Sequence, residues 1–146
     1  MENQELKTIQ VEKLTETAKL PTRAHPNDAG LDLYADEERL LLPGEHTYIK
    51  TGIKIAFPKG YTILVWDKGG LATKGIHTIG GVFDTDYRGE YLINLVNLSQ
   101  TEQKIEQGQK ICQILVQRVE LPEIEETKID DQTIRGEGRF GSTGLY

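Results

Sequence analysis

The sequence predicts an all-β fold, a sandwich or a barrel, and three observations carry that prediction. Apolar residues recur at every second position in several runs, Gly and Pro turn signals separate those runs at close intervals, and no stretch holds a 3.6-residue apolar period over three turns. The first β-rich run is Lys7 to Val11. From Ile49 to Phe57 the apolar residues fall mostly on odd positions, with Lys50 and Lys54 between them, as in one strand with a single buried face. Tyr61, Ile63 and Val65 alternate with Thr62, Leu64 and Trp66, so that strand has cover on both faces. Tyr91 to Leu98 and Ile111 to Val119 complete the set. Turns are expected at Pro43-Gly44, Pro58-Lys59-Gly60, Gly80-Gly81 and Gln107-Gly108.

At 146 residues the chain has the length of one domain, and no repeat or linker divides it. Residues 123–134 are polar and read as a surface connection. Residues 135–146 hold four of the fifteen glycines and read as a flexible arm. A net charge of −6 excludes broad electrostatic binding to nucleic acid or anionic membranes. It leaves room for a small anionic substrate neutralised by a few donors and a divalent cation. No apolar run is long enough for a membrane helix, and Met1 to Lys7 is too polar for a secretory signal, so a cytoplasmic location is expected. Cys112 is the single cysteine, and His25, His46 and His77 lie far apart, which argues against disulfides and zinc.

Five segments place charged or small residues where a β core does not need them. Asp28-Ala29-Gly30-Leu31-Asp32-Leu33 sets two carboxylates around a glycine; either could meet a magnesium water shell, or cap a turn instead. Asp67-Lys68-Gly69-Gly70-Leu71-Ala72 offers backbone N–H groups and an ammonium to an anion, or is a plain loop. In Gly80-Gly81-Val82-Phe83-Asp84-Thr85-Asp86-Tyr87-Arg88-Gly89-Glu90, an extended chain would put Asp84 and Asp86 on one face, a costly pairing without a shared cation or proton, or the segment is an acidic hairpin turn with Arg88 paired to a neighbour. Gln113, in Gly108 to Ile114, is a polar residue within a β run that faces either a pocket or an exposed edge. Arg135 to Gly144 combines two arginines, glycines, Ser142, Thr143 and Phe140, a composition that cradles phosphate and stacks on a base.

Taken in order, these segments resemble the five motifs of the trimeric dUTPase family, from about Thr22 to the C-terminus. The resemblance implies a distorted, jelly-roll-like β-barrel that assembles as a homotrimer with shared active sites. It implies hydrolysis of dUTP to dUMP and pyrophosphate with Mg2+, and a C-terminal arm that closes over a neighbour's pocket. By the same resemblance Asp84 positions the attacking water and contacts the sugar, Tyr87 packs under the deoxyribose, and Gly81, Val82 and Phe83 belong to the hairpin that reads uracil. Asp32 meets the metal through water. Lys68, Gly69, Gly70 and Gln113 handle phosphates, Arg135 with Gly141, Ser142 and Thr143 clamps the γ-phosphate, and Phe140 stacks on the base.

One departure stands out. The family's second motif usually reads Pro-Arg-Ser-Gly-Leu-Ala, so Lys68 stands for an arginine and Gly69 for a serine hydroxyl. That change leaves open a nucleotide-binding or regulatory module of reduced activity. The related dCTP deaminases are a weaker alternative, because Asn94 occupies the position of their catalytic glutamate and cannot transfer the proton.

Overall fold

The computed structural model describes residues 6–146; most of the polar N-terminal stretch lies outside them. The described chain is all-β apart from one helical turn. In order it forms β1 (Gln10–Lys13), β2 (Leu31–Tyr34), β3 (Arg39–Leu41), β4 (His46–Lys50), β5 (Ile53–Ala56) and β6 (Tyr61–Asp67). The turn α1 (Gly69–Ala72) follows, then β7 (Ile76–Thr78), β8 (Val82–Phe83), β9 (Leu92–Asn97), β10 (Gln103–Ile105) and β11 (Lys110–Arg118). Four small antiparallel sheets, ordered β1-β5, β10-β3, β2-β11-β6-β8 and β4-β9-β7, close around one core as a distorted jelly-roll-like barrel. Among the described residues no helix is long and apolar enough to cross a membrane.

Alternation explains the strands. In β9, Ile93, Leu95 and Asn97 face inward and are buried, while Leu92 is exposed. Asn97 is fully buried yet satisfied. Its amide donates to the carbonyls of Leu41 and Thr101, and its oxygen accepts from Ser99. In β6 both faces are largely covered, as the sequence predicts, and only Trp66 is exposed.

The expected single strand from Ile49 to Phe57 is instead two. Ile49, Thr51, Ile53 and Ile55 all remain buried, so the period of two survives, but the chain turns at Gly52 and passes from the β4-β9-β7 sheet to the β1-β5 pair. Gly52 has φ +65°, and a Cβ there would lie 2.5 Å from Asp36 Oδ2. Its N–H donates to Glu90 and its carbonyl accepts from Leu14, so the corner is tied to both sides of the fold.

The longest strand, β11, pairs with β2 on one side and β6 on the other. Its register against β2 shifts between Lys110 and Cys112, and Ile111 and Cys112 are consecutive buried residues. This is a β-bulge, and it reverses the facing of everything N-terminal to it.

Candidate active site

The phosphate-handling candidates meet at one end of the β2-β11-β6-β8 sheet. Asp32 on β2 lies directly across from Gln113 on β11, and Gln113 from Trp66 on β6. These strands bring Gly30, Asp32, Trp66, Asp67, Lys68 and Gln113 around a cleft of about 520 Å³. Because β11 is an inner strand, edge exposure does not account for Gln113. Its amide donates to the Asp67 carbonyl at 3.0 Å, and a Cβ on Gly30 would come within 2.1 Å of its oxygen. Gly30 is thus the space into which Gln113 fits.

The two carboxylates of the first segment have different fates. Asp28 is a turn residue whose carboxylate accepts from the His25 backbone at 3.0 Å and its ring at 2.9 Å. Asp32 is buried, and both oxygens are held by ammonium groups: Lys68 Nζ at 2.7 Å from Oδ1, Lys110 Nζ at 2.9 Å from Oδ2. Burial pushes its pKa up, but the hydrogen bonds and charges of Lys68 and Lys110 outweigh that and hold it below the usual carboxylate range. Sequence reasoning assigned Lys110 no role. Strict alternation puts positions 110 and 113 on opposite faces; only the bulge brings Lys110 round to Asp32.

The second segment is not a plain loop. Gly69–Ala72 forms one helical turn with Lys68 at its N-cap and no side-chain cap, leaving its first N–H groups without a capping side chain. No atom lies within 4 Å of where a Cβ on Gly69 would stand. Asp67 accepts from the Thr78 N–H at 2.7 Å, the Thr78 hydroxyl at 2.8 Å and His77 Nδ1 at 2.7 Å. Burial raises its pKa, and these bonds more than reverse the effect.

The base- and sugar-reading candidates form a second group on β8 and the turn that follows. Gly81, at φ +121°, packs against β6 so closely that a Cβ would sit 2.8 Å from Val65 Cβ. With Val82, Phe83, Tyr48 and Asn94 it lines a cleft of about 320 Å³. Phe83 stacks on buried Tyr91 with ring centres 3.9 Å apart, and Tyr87 leans on the pair, its hydroxyl donating to the Glu90 carbonyl at 2.8 Å. The expectation that Asp84 and Asp86 share a face of an extended chain is not met. β8 ends at Phe83, and the Tyr87 N–H closes a turn onto the Asp84 carbonyl. Arg88 donates to the carbonyls of Thr85 and Tyr87 rather than to a carboxylate.

The arm stands apart from both groups. Arg135, Phe140, Gly141, Ser142 and Thr143 line one shallow surface together with Gly138 and Arg139, and Phe140 is fully exposed. Cys112 is buried, which pushes its thiol well up and leaves it unsuited to nucleophilic work. His25 and His46 are exposed, whereas His77 is a half-buried residue of β7 held by Asp67, and no cluster of three or more His, Cys, Asp or Glu side chains placed to hold a metal occurs among the described residues.

A family model described as dUTPase matches residues 16–144. The chain belongs to the dUTPase family. It is 40% identical over 140 residues to the deoxyuridine 5'-triphosphate nucleotidohydrolase of Clostridium tetani, covering 94% of this chain and 97% of that one. It is 42% identical over 133 residues to the vaccinia virus (strain Copenhagen) enzyme of the same name, covering 91% and 90%. The dUTPase of Staphylococcus bacteriophage 80alpha, solved with dUpNHpp, superposes with a TM-score of 0.89 at 27% identity, covering 96% of this chain and all of the phage chain.

Gly30→Ala should force Gln113 out of its place and break its bond to the Asp67 carbonyl. The expected cost is about 1–2 kcal/mol in stability by denaturant titration, for one lost hydrogen bond and the repacking. Nucleotide affinity should fall with it. An unchanged affinity in a folded G30A variant would show that Gln113 does not handle phosphate.

Proposed function

We propose that the chain is a dUTP diphosphatase, releasing dUMP and pyrophosphate by attack of water on the α-phosphorus. Its family membership supports the activity. The observation that carries the phosphate assignment is the cleft in which Lys68 and Gln113 stand beside a buried Asp32, with α1 following directly on Lys68. Attack on a polyanion requires neutralisation by directed donors, and Lys68 and Gln113 bring two of them to the cleft. Asp84 activates the water as general base, and exposure on its turn leaves its carboxylate within reach of solvent. Tyr87 is held under the sugar by Glu90, and Gly81 to Phe83 present backbone groups to the base.

The residues fit magnesium held through its waters. That ion takes few protein ligands, and each Asp32 oxygen, though engaged by a lysine, keeps lone-pair capacity for a water. When bound, magnesium would supply charge neutralisation and orientation of the triphosphate. A variant of the dUTPase from phage phi11 of S. aureus, 26% identical with a TM-score of 0.80, is described with a structural Mg(II) ion.

Incubation with dUTP, dCTP, dTTP and UTP plus Mg2+, with pyrophosphate and ammonia measured, tests this reading. Pyrophosphate from dUTP alone is expected. Ammonia from dCTP would replace the assignment with deamination, and binding without turnover would replace it with a regulatory module.

The separation of the arm from both clefts supports a site shared among the subunits of a homotrimer. Mixing two inactive variants, Asp84→Asn and a chain truncated before Arg135, should regenerate activity, because some sites would combine an intact Asp84 with an intact arm. No recovery in mixed trimers would place each arm on its own barrel.

Gly69→Ser meets no steric obstacle. If the hydroxyl serves the transition state as one donor among several, kcat should rise on the order of tenfold or more, since donors of this kind are worth about 10²–10³ and water or a backbone N–H covers part of the loss. An unchanged kcat would show the hydroxyl to be dispensable in this chain.

A further inference from the structure

The Asp32 carboxylate has two cationic partners, and the two are not equivalent. Lys68 lines the cleft, at the N-cap of a turn whose first N–H groups carry no side-chain cap. Lys110 approaches the opposite oxygen from β11 and is not part of the cleft lining. It reaches Asp32 only because the bulge at Ile111 and Cys112 turns it onto the face of Gln113. Bulges of this kind re-aim a side chain at the expense of regular pairing.

The position of Asp32 makes the difference matter. Its side chain is only 5% exposed, and its backbone is pinned by reciprocal bonds with Thr22. A carboxylate so placed is costly to leave without a partner. With Lys68 as sole partner, that ammonium would be held on Asp32, and its transfer to an arriving phosphate would strand the buried charge. A second cation on the far oxygen removes the conflict.

We infer that Lys110 is a positioning residue for the phosphate site: it holds Asp32 from behind, so that the Lys68 ammonium can pass from Asp32 to the substrate's phosphates. One lysine is fixed and the other is mobile. The inference rests on the reading of the cleft as the phosphate site, and Lys110 itself touches no substrate.

The test is a double-mutant cycle, Lys68→Met, Lys110→Met and both together. Affinity for dUpNHpp is measured by calorimetry in EDTA and again in Mg2+, with thermal melts to confirm folding. Each single change should weaken binding by roughly tenfold or more, the usual worth of a charge-assisted hydrogen bond. The double variant should be little worse than either single one, because without Lys110 the Lys68 ammonium is already withdrawn to Asp32. Lys110→Arg, which keeps the charge on Asp32, should bind as the wild type does. Multiplicative losses would mean that Lys110 meets phosphate on its own account, and a K110M variant equal to wild type would mean that it does nothing; either overturns the inference. A K110M chain that fails to fold leaves K110R to decide, since weakened binding in that folded variant also overturns it. If wild type itself binds no dUpNHpp, the functional reading fails and this inference with it. Normal wild-type binding with an indifferent K110M overturns this inference alone.

Discussion

A carboxylate buried on the outer side of a sheet must be neutralised where it stands, and Asp32 is neutralised from two directions at once. Lys68 comes from the end of β6 and Lys110 from the bulged start of β11, so one ion cluster ties the ends of three neighbouring strands together. The surrounding parts follow from that arrangement. Gln113 lies across from Asp32, its amide meets the carbonyl at the end of β6, and Gly30 must lack a side chain for it to fit. The two ammonium groups more than neutralise Asp32, while Asp28 and Asp67 also line the cleft, so a polyanion there calls on directed donors and a divalent cation rather than on net charge.

The group proposed to read the base uses a different physical device. There the constraint is close approach: Gly81 touches Val65 of β6, Gly89 leaves room for the Tyr87 hydroxyl, and Phe83 stacks flat on a buried tyrosine. Rigid packing sets the shape of this region, while ion pairing sets the character of the proposed phosphate cleft. The arm belongs to neither. It is exposed throughout and closed only by its own turns, so on the shared-site reading it pays its ordering entropy when substrate arrives.

How much of this was legible in the sequence depends on how local each cause is. β6, β9 and β11 were readable because alternation reports burial residue by residue. The turns at Pro43-Gly44, Pro58-Lys59-Gly60 and Gln107-Gly108 were readable for the same local reason, whereas Gly80-Gly81 is an irregular connection from β7 to β8 whose bonds go to Val65 and Asn94 rather than across a turn. The corner at Gly52 was not, because the inward period of two runs through it unbroken; what bends the chain is contact with Asp36, Ala18 and Glu90, far away in sequence. Asp84 and Asp86 were placed on one face by assuming an extended chain, and the turn closed by Tyr87 removes that premise. Lys110 escaped notice because alternation assigns it to the wrong face. The adjacent apolar pair Ile111-Cys112 was the one signal of a bulge, and a continuous apolar run gives the same signal for a strand covered on both sides.

The departures in the second motif look less like decay once the ion cluster is seen whole. An arginine at position 68 would offer Asp32 a planar fork suited to bidentate capture, and a fork gripping both oxygens is slow to let go. A lysine is a point charge on a flexible stem, which can hold one oxygen and still turn toward a phosphate. Its neighbour Gly69 opens the helical turn and puts no side chain in the way of an anion approaching the first N–H groups. The serine hydroxyl is absent, and on the proposed reading the Lys68 ammonium and the uncapped N–H groups of α1 meet the phosphate in its place. With Lys110 holding the second oxygen, Asp32 tolerates that mobility. The same substitutions without the bulge would leave Lys68 serving the carboxylate instead of the substrate.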